Sequence, residues 1–251
     1  MRLKIGGFEL ESLTSDEIMA RAGAVSTSSR PVHLVTFNPL MYLDALADPD
    51  FAAILRSADL LLAESSGIKW AAKFLYNLKI SPLAGIDMLD ALFASDSSLA
   101  PSSRAAFYFL GGRPGVAESA SRAVSARFPP LRIAGFRDGF FDDAESAGIA
   151  REIAASGATI LLAGLGSPRQ EYWIARNKHL LSSVRLAVGV GGSFDVLSGR
   201  LRRAPAIFRG LGAEWLWRLM SEPRRFVRIA RLPLFVAEII RMKMTLVAKT
   251  Q

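Results

Sequence analysis

Two apolar runs that each stop at glycines constrain this chain more than anything else in it. Ala158–Ala163 is followed by G-L-G-S-P-R-Q-E, and Leu186–Val190 by G-G-S-F-D-V-L-S-G-R. A short apolar run bounded in this way suits a buried strand, and glycine lets the backbone turn sharply and brings main-chain N–H groups close to a ligand. Polar residues follow at once: Ser167, Arg169, Gln170 and Glu171 after the first run, Ser193 and Asp195 after the second. That layout describes a ligand crevice at the carboxyl ends of parallel strands.

The rest of the chain alternates in the same manner. Strands are expected at Val32–Phe37, Asp59–Ala63, Ala106–Gly111, Leu131–Gly135, Ala158–Gly164 and Arg185–Val190, with helical spacing between them at Pro114–Phe128 and Asp143–Ser156. Such alternation predicts an α/β fold, a parallel sheet with helices on both faces. Pro114 and Pro168 are read as first-turn helix prolines. From Ala206 onward the strand signal ends, and helical segments rich in arginine and aromatic residues follow, so the chain divides into a core (1–200) and a basic C-terminal appendage (201–251).

Charge follows the same division. From Arg200 onward twelve Lys/Arg face Glu214, Glu222 and Glu238, a net of +9, which leaves nineteen basic against twenty acidic residues in the first 199. The chain's net +8 therefore belongs to its tail. Basic and bulky apolar residues mixed on helices suit an anionic membrane surface; the alternatives are a docked helix with a solvated basic face, or nucleic acid, for which no fold motif is present. No apolar run reaches the roughly 20 residues that a bilayer requires. The N-terminus lacks a signal-peptide h-region. Cysteine is absent, which fits a reducing compartment.

Several polar residues stand where ligand chemistry is expected. Glu64 follows the apolar run Leu60–Ala63, placed as a general base, or as an N-cap for the next helix. Thr36 and Asn38 end the first expected strand and could bond a sugar or phosphate, or serve turn chemistry. Asp87 could bind hydroxyls, or complement a helix dipole. Gly164, Gly166, Arg169 and Gln170 form one anion-binding candidate, and Gly191 and Gly192 a second. Asp195 could contact a ribose, a sugar or Arg202/Arg203, or cap a helix. Neither glycine cluster completes G-x-G-x-x-G, so the dinucleotide fingerprint of a redox enzyme is missing. Asp48-Pro49-Asp50 carries D-x-D, but a helix-start proline flanked by carboxylates accounts for it. His33 and His179 have no ligand-spaced partners, and no metal site is expected.

Eight segments in order, T-F-N-P (36–39), A-E-S-S-G (63–67), A-G-I-D (84–87), F-L-G-G-R-P-G-V (109–116), G-L-G-S-P-R-Q-E-Y-W (164–173), G-V-G-G-S-F-D-V-L-S-G (189–199), R-A-P (203–205) and E-W-L-W-R-L-M-S-E-P-R-R (214–225), closely resemble the WecG/TagA/CpsF glycosyltransferase family. The resemblance implies a Rossmann-like core of the GT-E type whose appendage approaches the membrane and helps close the site. It implies an inverting, metal-free transferase with no cofactor. Its donor is a UDP-sugar, carrying N-acetylmannosamine, its uronic acid, or another hexose. Its acceptor is a polyprenyl-diphosphate-linked glycan at the cytoplasmic membrane face, in cell-surface polysaccharide synthesis. Glu64 falls where the family carries an aspartate base, and Pro82 near the family's usual arginine. Arg202, Arg203, Arg218 and Arg224 are then the tail cations for the leaving diphosphate. The other reading is a membrane-docked UDP-sugar binder that has lost turnover.

Overall fold

The computed structural model describes the chain except for residues 1, 15, 19, 21–29, 82–83, 222–225 and 249–251, and the side chain of Arg218. Arg224 and Pro82 thus lie outside the described residues. Eight strands form one sheet: β1 (Arg2–Ile5), β2 (Phe8–Glu11), β3 (Val32–Phe37), β4 (Leu60–Ala63), β5 (Ala106–Gly111), β6 (Arg132–Arg137), β7 (Ile160–Gly164) and β8 (Leu186–Gly189), in the order β1-β2-β4-β3-β8-β7-β5-β6. All pairings are parallel except β1 with β2. The six expected strands correspond to β3–β8, within a residue or two at their ends.

The hairpin β1–β2 is an addition to that expectation. R-L-K-I and F-E-L-E alternate polar with apolar, and Gly6 and Gly7 between them have φ of +55° and +88°. Two consecutive residues at positive φ make the tight turn whose twist matches paired strands. Ile5 lies opposite Phe8, and the inward residues Leu3, Ile5, Phe8 and Leu10 are buried.

Alternation along the central strands sorts side chains into two layers. Leu34, Phe107, Phe109, Ile160, Leu162, Leu186 and Val188 face one side, beneath α4 (Gly85–Ser97) and α5 (Val116–Arg127). On the other side Val35 and Phe37 pack under α1 (Pro39–Ala47), α2 (Pro49–Ser57) and α3 (Ser65–Tyr76). Tyr108, Leu161, Ala163 and Ala187 pack there under α6 (Ser146–Ala155) and α7 (Arg169–Asn177). Because both faces are covered, the central strands read as continuous apolar runs.

The helix starts explain several local motifs. Asp48 accepts from the amides of Asp50 and Phe51 and caps α2, with Pro49 in its first turn, so D-P-D is a helix start. Pro114 departs from expectation: Gly115, at φ +80°, intervenes, and α5 begins only at Val116. Pro168 likewise stands one residue before α7, at its N-cap.

The C-terminal segment forms α8 (Ser193–Leu197), α9 (Ala206–Gly210), α10 (Glu214–Ser221), α11 (Phe226–Ile229) and α12 (Leu232–Ala248). The last of these is a docked helix. Phe235 (2% exposed) and Ile239 (0%) complete the core under α1 and α3, with Phe235 edge-on to Tyr42 at 5.7 Å between ring centroids. Arg231 pairs with Asp44 at 2.5 Å. Ile207, Leu211, Trp215, Met220, Phe226 and Val227 remain exposed. Among the described residues no helix is long and apolar enough to cross a membrane.

Candidate functional site

Strand order reverses between β3 and β8: from β3 the chain steps outward to β4, and β8 is reached from β7 on the other side. Open parallel sheets hold ligands in the crevice at such a point, outside the carboxyl ends of the strands. Thr36, Asn38, Glu64, Gln170 and the turn at 189–192 come together there.

Glu64 follows β4 directly, its N–H bonded to Phe37 O at 2.9 Å. It occupies the N-cap position of α3, yet its side chain does not cap that helix. Its Oε1 accepts instead from the amide of Gly85, the first residue of α4, at 2.9 Å, and its Oε2 from Asn38 Nδ2 at 3.5 Å. A helix's first amides have no partner within the helix and carry its positive end, so a carboxylate is well placed against them. Asn38 does two things at once, its Oδ1 capping α1 through the amides of Leu40 and Met41. Ser65, beside Glu64, is held at φ +83°, a region that non-glycine residues rarely occupy.

The second glycine turn lies against this carboxylate. A Cβ on Gly85 would sit 3.2 Å from Glu64 Oε1 and 3.7 Å from Ser193 Oγ. Thr36, buried, donates to Gly189 O at 3.4 Å. The turns themselves touch: a Cβ on Gly111 would meet Gly164 backbone at 2.4 Å, and one on Gly164 would meet the Phe194 ring at 2.7 Å and Gly191 O at 3.1 Å. Only glycine fits at these crossings.

Gln170 and Glu171 are buried beneath the second turn. Gln170 Nε2 donates to Glu171 Oε1 at 2.7 Å, which orients the amide so that its Oε1 accepts from Gly191 N at 3.0 Å. Gln170, expected to bind ligand, is 4% exposed, and its side chain holds the turn. Burial raises the Glu171 carboxyl above the ordinary carboxylate range, and its Oε2 has no hydrogen-bond partner.

Arg169 is also committed to protein. Its guanidinium donates to Gly139 O at 2.7 Å and Phe141 O at 3.0 Å, and lies over the Phe141 ring. It thereby clamps the loop that leaves β6, where Phe140 is 71% exposed. Gly139 in turn bonds Gly112 O through its amide at 2.9 Å. A cleft of about 360 Å³ opens here between Gly115, Phe136, Asp138 and Phe140. This aromatic loop was not among the sequence candidates; its signal was the D-G-F-F that follows a strand.

The tail reaches the same edge. Arg203 forms a short contact with Asp87 and lies 3.8 Å from Asp90, so the two expected ligand residues pair with each other. Arg202 and Arg203 line a narrow cavity of about 30 Å³ with Gly192, Ile86 and Trp217. Asp195, in the first turn of α8, pairs with Arg200 at 3.8 Å. Ser66 Oγ donates to Gly212 O at 2.7 Å, and Arg228 Nη2 to Ser167 O at 3.3 Å. Arg218 belongs to α10. Gly166, at φ +80°, supplies the carbonyl that starts α7. Among the described residues no group of three His, Asp or Glu could hold a metal ion.

A parallel α/β sheet with a carboxylate at its switch point, glycine turns beside it and a basic segment at the same edge has the layout of an α/β enzyme that holds its ligand at the strand ends. The chain belongs to the WecG/TagA/CpsF glycosyl transferase family, whose model matches residues 3–249. It is 34% identical over 208 residues to an N-acetylglucosaminyldiphosphoundecaprenol N-acetyl-beta-D-mannosaminyltransferase of Bacillus spizizenii strain W23, covering 83% of this chain and 78% of that one. It is 29% identical over 206 residues to the enzyme of the same name from Bacillus subtilis strain 168, covering 82% and 78%.

Proposed function

We propose that this protein transfers a sugar of the N-acetylmannosamine type from a UDP-sugar to an N-acetylglucosaminyl-diphosphate-polyprenol, at the inner face of the plasma membrane, with inversion at the anomeric carbon. The observation that carries the proposal is the placement of Glu64 against the Gly85 amide and Asn38, beside Ser193 and the glycine turns.

In this reading Glu64 takes the proton of the acceptor hydroxyl as its oxygen bonds the anomeric carbon, while the bond from that carbon to the UDP oxygen breaks on the opposite face. General-base assistance of this kind contributes about 10²–10⁴-fold. The leaving diphosphate takes up negative charge. Main-chain N–H groups of the turns around Gly164–Gly166 and Gly191–Gly192 meet it, with Arg202 of the tail. The clamped Phe140 loop offers a flat ring for the nucleobase. No cofactor and no divalent cation enter this scheme.

The test is a screen of UDP-sugars against a synthetic N-acetylglucosaminyl-diphosphate-polyprenol, with product detected by mass. Product from UDP-N-acetylmannosamine that requires Glu64 supports the reading. UDP binding with no product from any donor would instead support a sugar-nucleotide binder without turnover.

A further inference from the structure

Helix α3, which starts beside the Glu64 carboxylate, has an outer face unlike those of its neighbours. Ile68, Ala71, Ala72 and Leu75 are buried in the core. Lys69, Trp70, Lys73, Phe74 and Tyr76 are exposed, and residues 65–76 contain no Asp or Glu. Trp70 (37% exposed) and Phe74 (38%) stack on one another at 5.3 Å between centroids, 16° from parallel. Lys69 and Lys73 repeat at the same four-residue spacing, so cations flank the aromatic pair along the helix.

The C-terminal segment brackets this face. Gly212 O accepts from Ser66 at the helix's start, and Lys243 Nζ donates to Leu75 O near its end, at 2.8 Å. Ile207 and Leu211 lie just before Gly212 in the chain, and Ile240 and Met244 flank Lys243; all four are exposed. Exposed apolar residues of the tail therefore stand close in sequence to its contacts with α3 at both ends of that helix.

We propose that the outer face of α3 docks on an anionic lipid bilayer, with Trp70 and Phe74 at headgroup level and Lys69 and Lys73 against the lipid anions. The proposal rests on the membrane-facing reading above and extends it from the tail to the core. Amphipathic aromatic rings suit the boundary between headgroups and acyl chains, and lysine stems reach along apolar surface to place their charge at its rim. Charge decides between occupants. A two-fold contact between copies would set Lys69 and Lys73 against their own images, whereas an anionic bilayer complements them. Docking here also positions the chemistry: Lys69 is five residues from Glu64, about 7.5 Å along a helix axis. A lipid-borne diphosphate held at this face would then have its sugar near the carboxylate.

Because the chain has no cysteine, single reporters can be placed cleanly. Phe74→Cys and Met244→Cys, each labelled with an environment-sensitive fluorophore, are mixed with phosphatidylcholine vesicles with and without phosphatidylglycerol. The unlabelled protein is sedimented with the same vesicles. The expected result is sedimentation with anionic vesicles and a blue shift at both positions. Lys69→Gln/Lys73→Gln should weaken sedimentation about thirtyfold, two basic groups near an anionic surface contributing about that much, with an unchanged melting temperature. If the protein sediments and position 244 shifts while position 74 stays aqueous, the proposal for α3 fails and the tail reading stands. If nothing sediments and neither label shifts, the membrane reading itself fails. An equal response to neutral vesicles, or a shift at position 74 that follows protein concentration without lipid, overturns the charge-based assignment.

Discussion

Glu64 is fixed by Gly85: the first amide of α4 donates to its Oε1 across 2.9 Å, joining the end of β4 to a helix that begins 21 residues later. An amide oxygen can accept that hydrogen bond as well as a carboxylate can, but it cannot take a proton from a sugar hydroxyl. The site's shape and its basicity are therefore separable.

Glu64→Gln should lower turnover by about 10²–10⁴-fold while UDP affinity stays within a few-fold of wild type. Steady-state kinetics with the lipid-linked acceptor, alongside calorimetric titration with UDP, checks both halves. Turnover that survives the substitution removes Glu64 from the mechanism.

Gly189 has no room for a methyl group. An added Cβ would lie 2.5 Å from Gln170 Nε2 and 2.9 Å from Glu171 Oε1. Gly189→Ala should destabilise the protein by about 1–3 kcal/mol through overpacking. It should also weaken the hold of Gln170 on the Gly191 turn. Urea denaturation gives the first effect, and UDP affinity reports the second.

His33 is buried on β3, and burial together with nearby Lys178 lowers its pKa to about 4, from 6.5. The folded state thus keeps the imidazole neutral while the unfolded chain binds the proton. The stability this gives is fully present above pH 6.5 and is lost as pH falls toward 4, by about 3 kcal/mol. His33→Leu should flatten the stability profile across that window in urea titrations at successive pH values.

Glu171 works in the opposite direction. Its carboxyl is raised by burial, so the folded state retains the proton and loses stability as pH climbs above the ordinary carboxylate range. Glu171→Gln can still accept from Gln170 Nε2 and carries no charge to bury. It should exceed wild type in stability at neutral pH, with the difference closing in acid. A variant less stable than wild type at neutral pH would show that the ionised carboxylate is needed.

Arg169 holds the loop at Gly139 and Phe141 through two hydrogen bonds. Arg169→Ala should leave the melting temperature nearly unchanged, since the side chain is largely exposed, yet make the chain after Phe140 markedly more sensitive to chymotrypsin. Arg169→Lys, which keeps the charge but not the planar fork, should fall between them. Equal cleavage of all three proteins would show that the clamp does not order the loop.

Much of this architecture is legible in local sequence because its physical causes are local. Runs such as Leu60–Ala63 and Ile160–Gly164 are short, apolar and bounded by glycine, and they formed the strands they predict. The N-terminal hairpin was not among the expected strands, although R-L-K-I-G-G-F-E-L-E carries both the two-residue period and the glycine turn. The protein partners of Arg169 were not legible. An arginine at a helix start after glycines reads as an anion site, and only the return of residues 139–141 from β6 supplies the carbonyls that occupy it. Asp87 and Arg203, 116 residues apart, each read as a ligand contact, and folding brings them together as a pair. For the tail, composition shows basic and apolar residues together. The packing of Phe235 and Ile239 shows which of them the core takes.

The sequence by itself determined the parallel α/β layout, the glycine-ended strands and the eight ordered motifs of the family, since each depends on residue type and near-neighbour spacing. Tertiary structure alone decided which polar groups face the crevice and which are consumed by one another. A hydrogen bond between distant segments depends on strand order and helix placement, which no local spacing encodes.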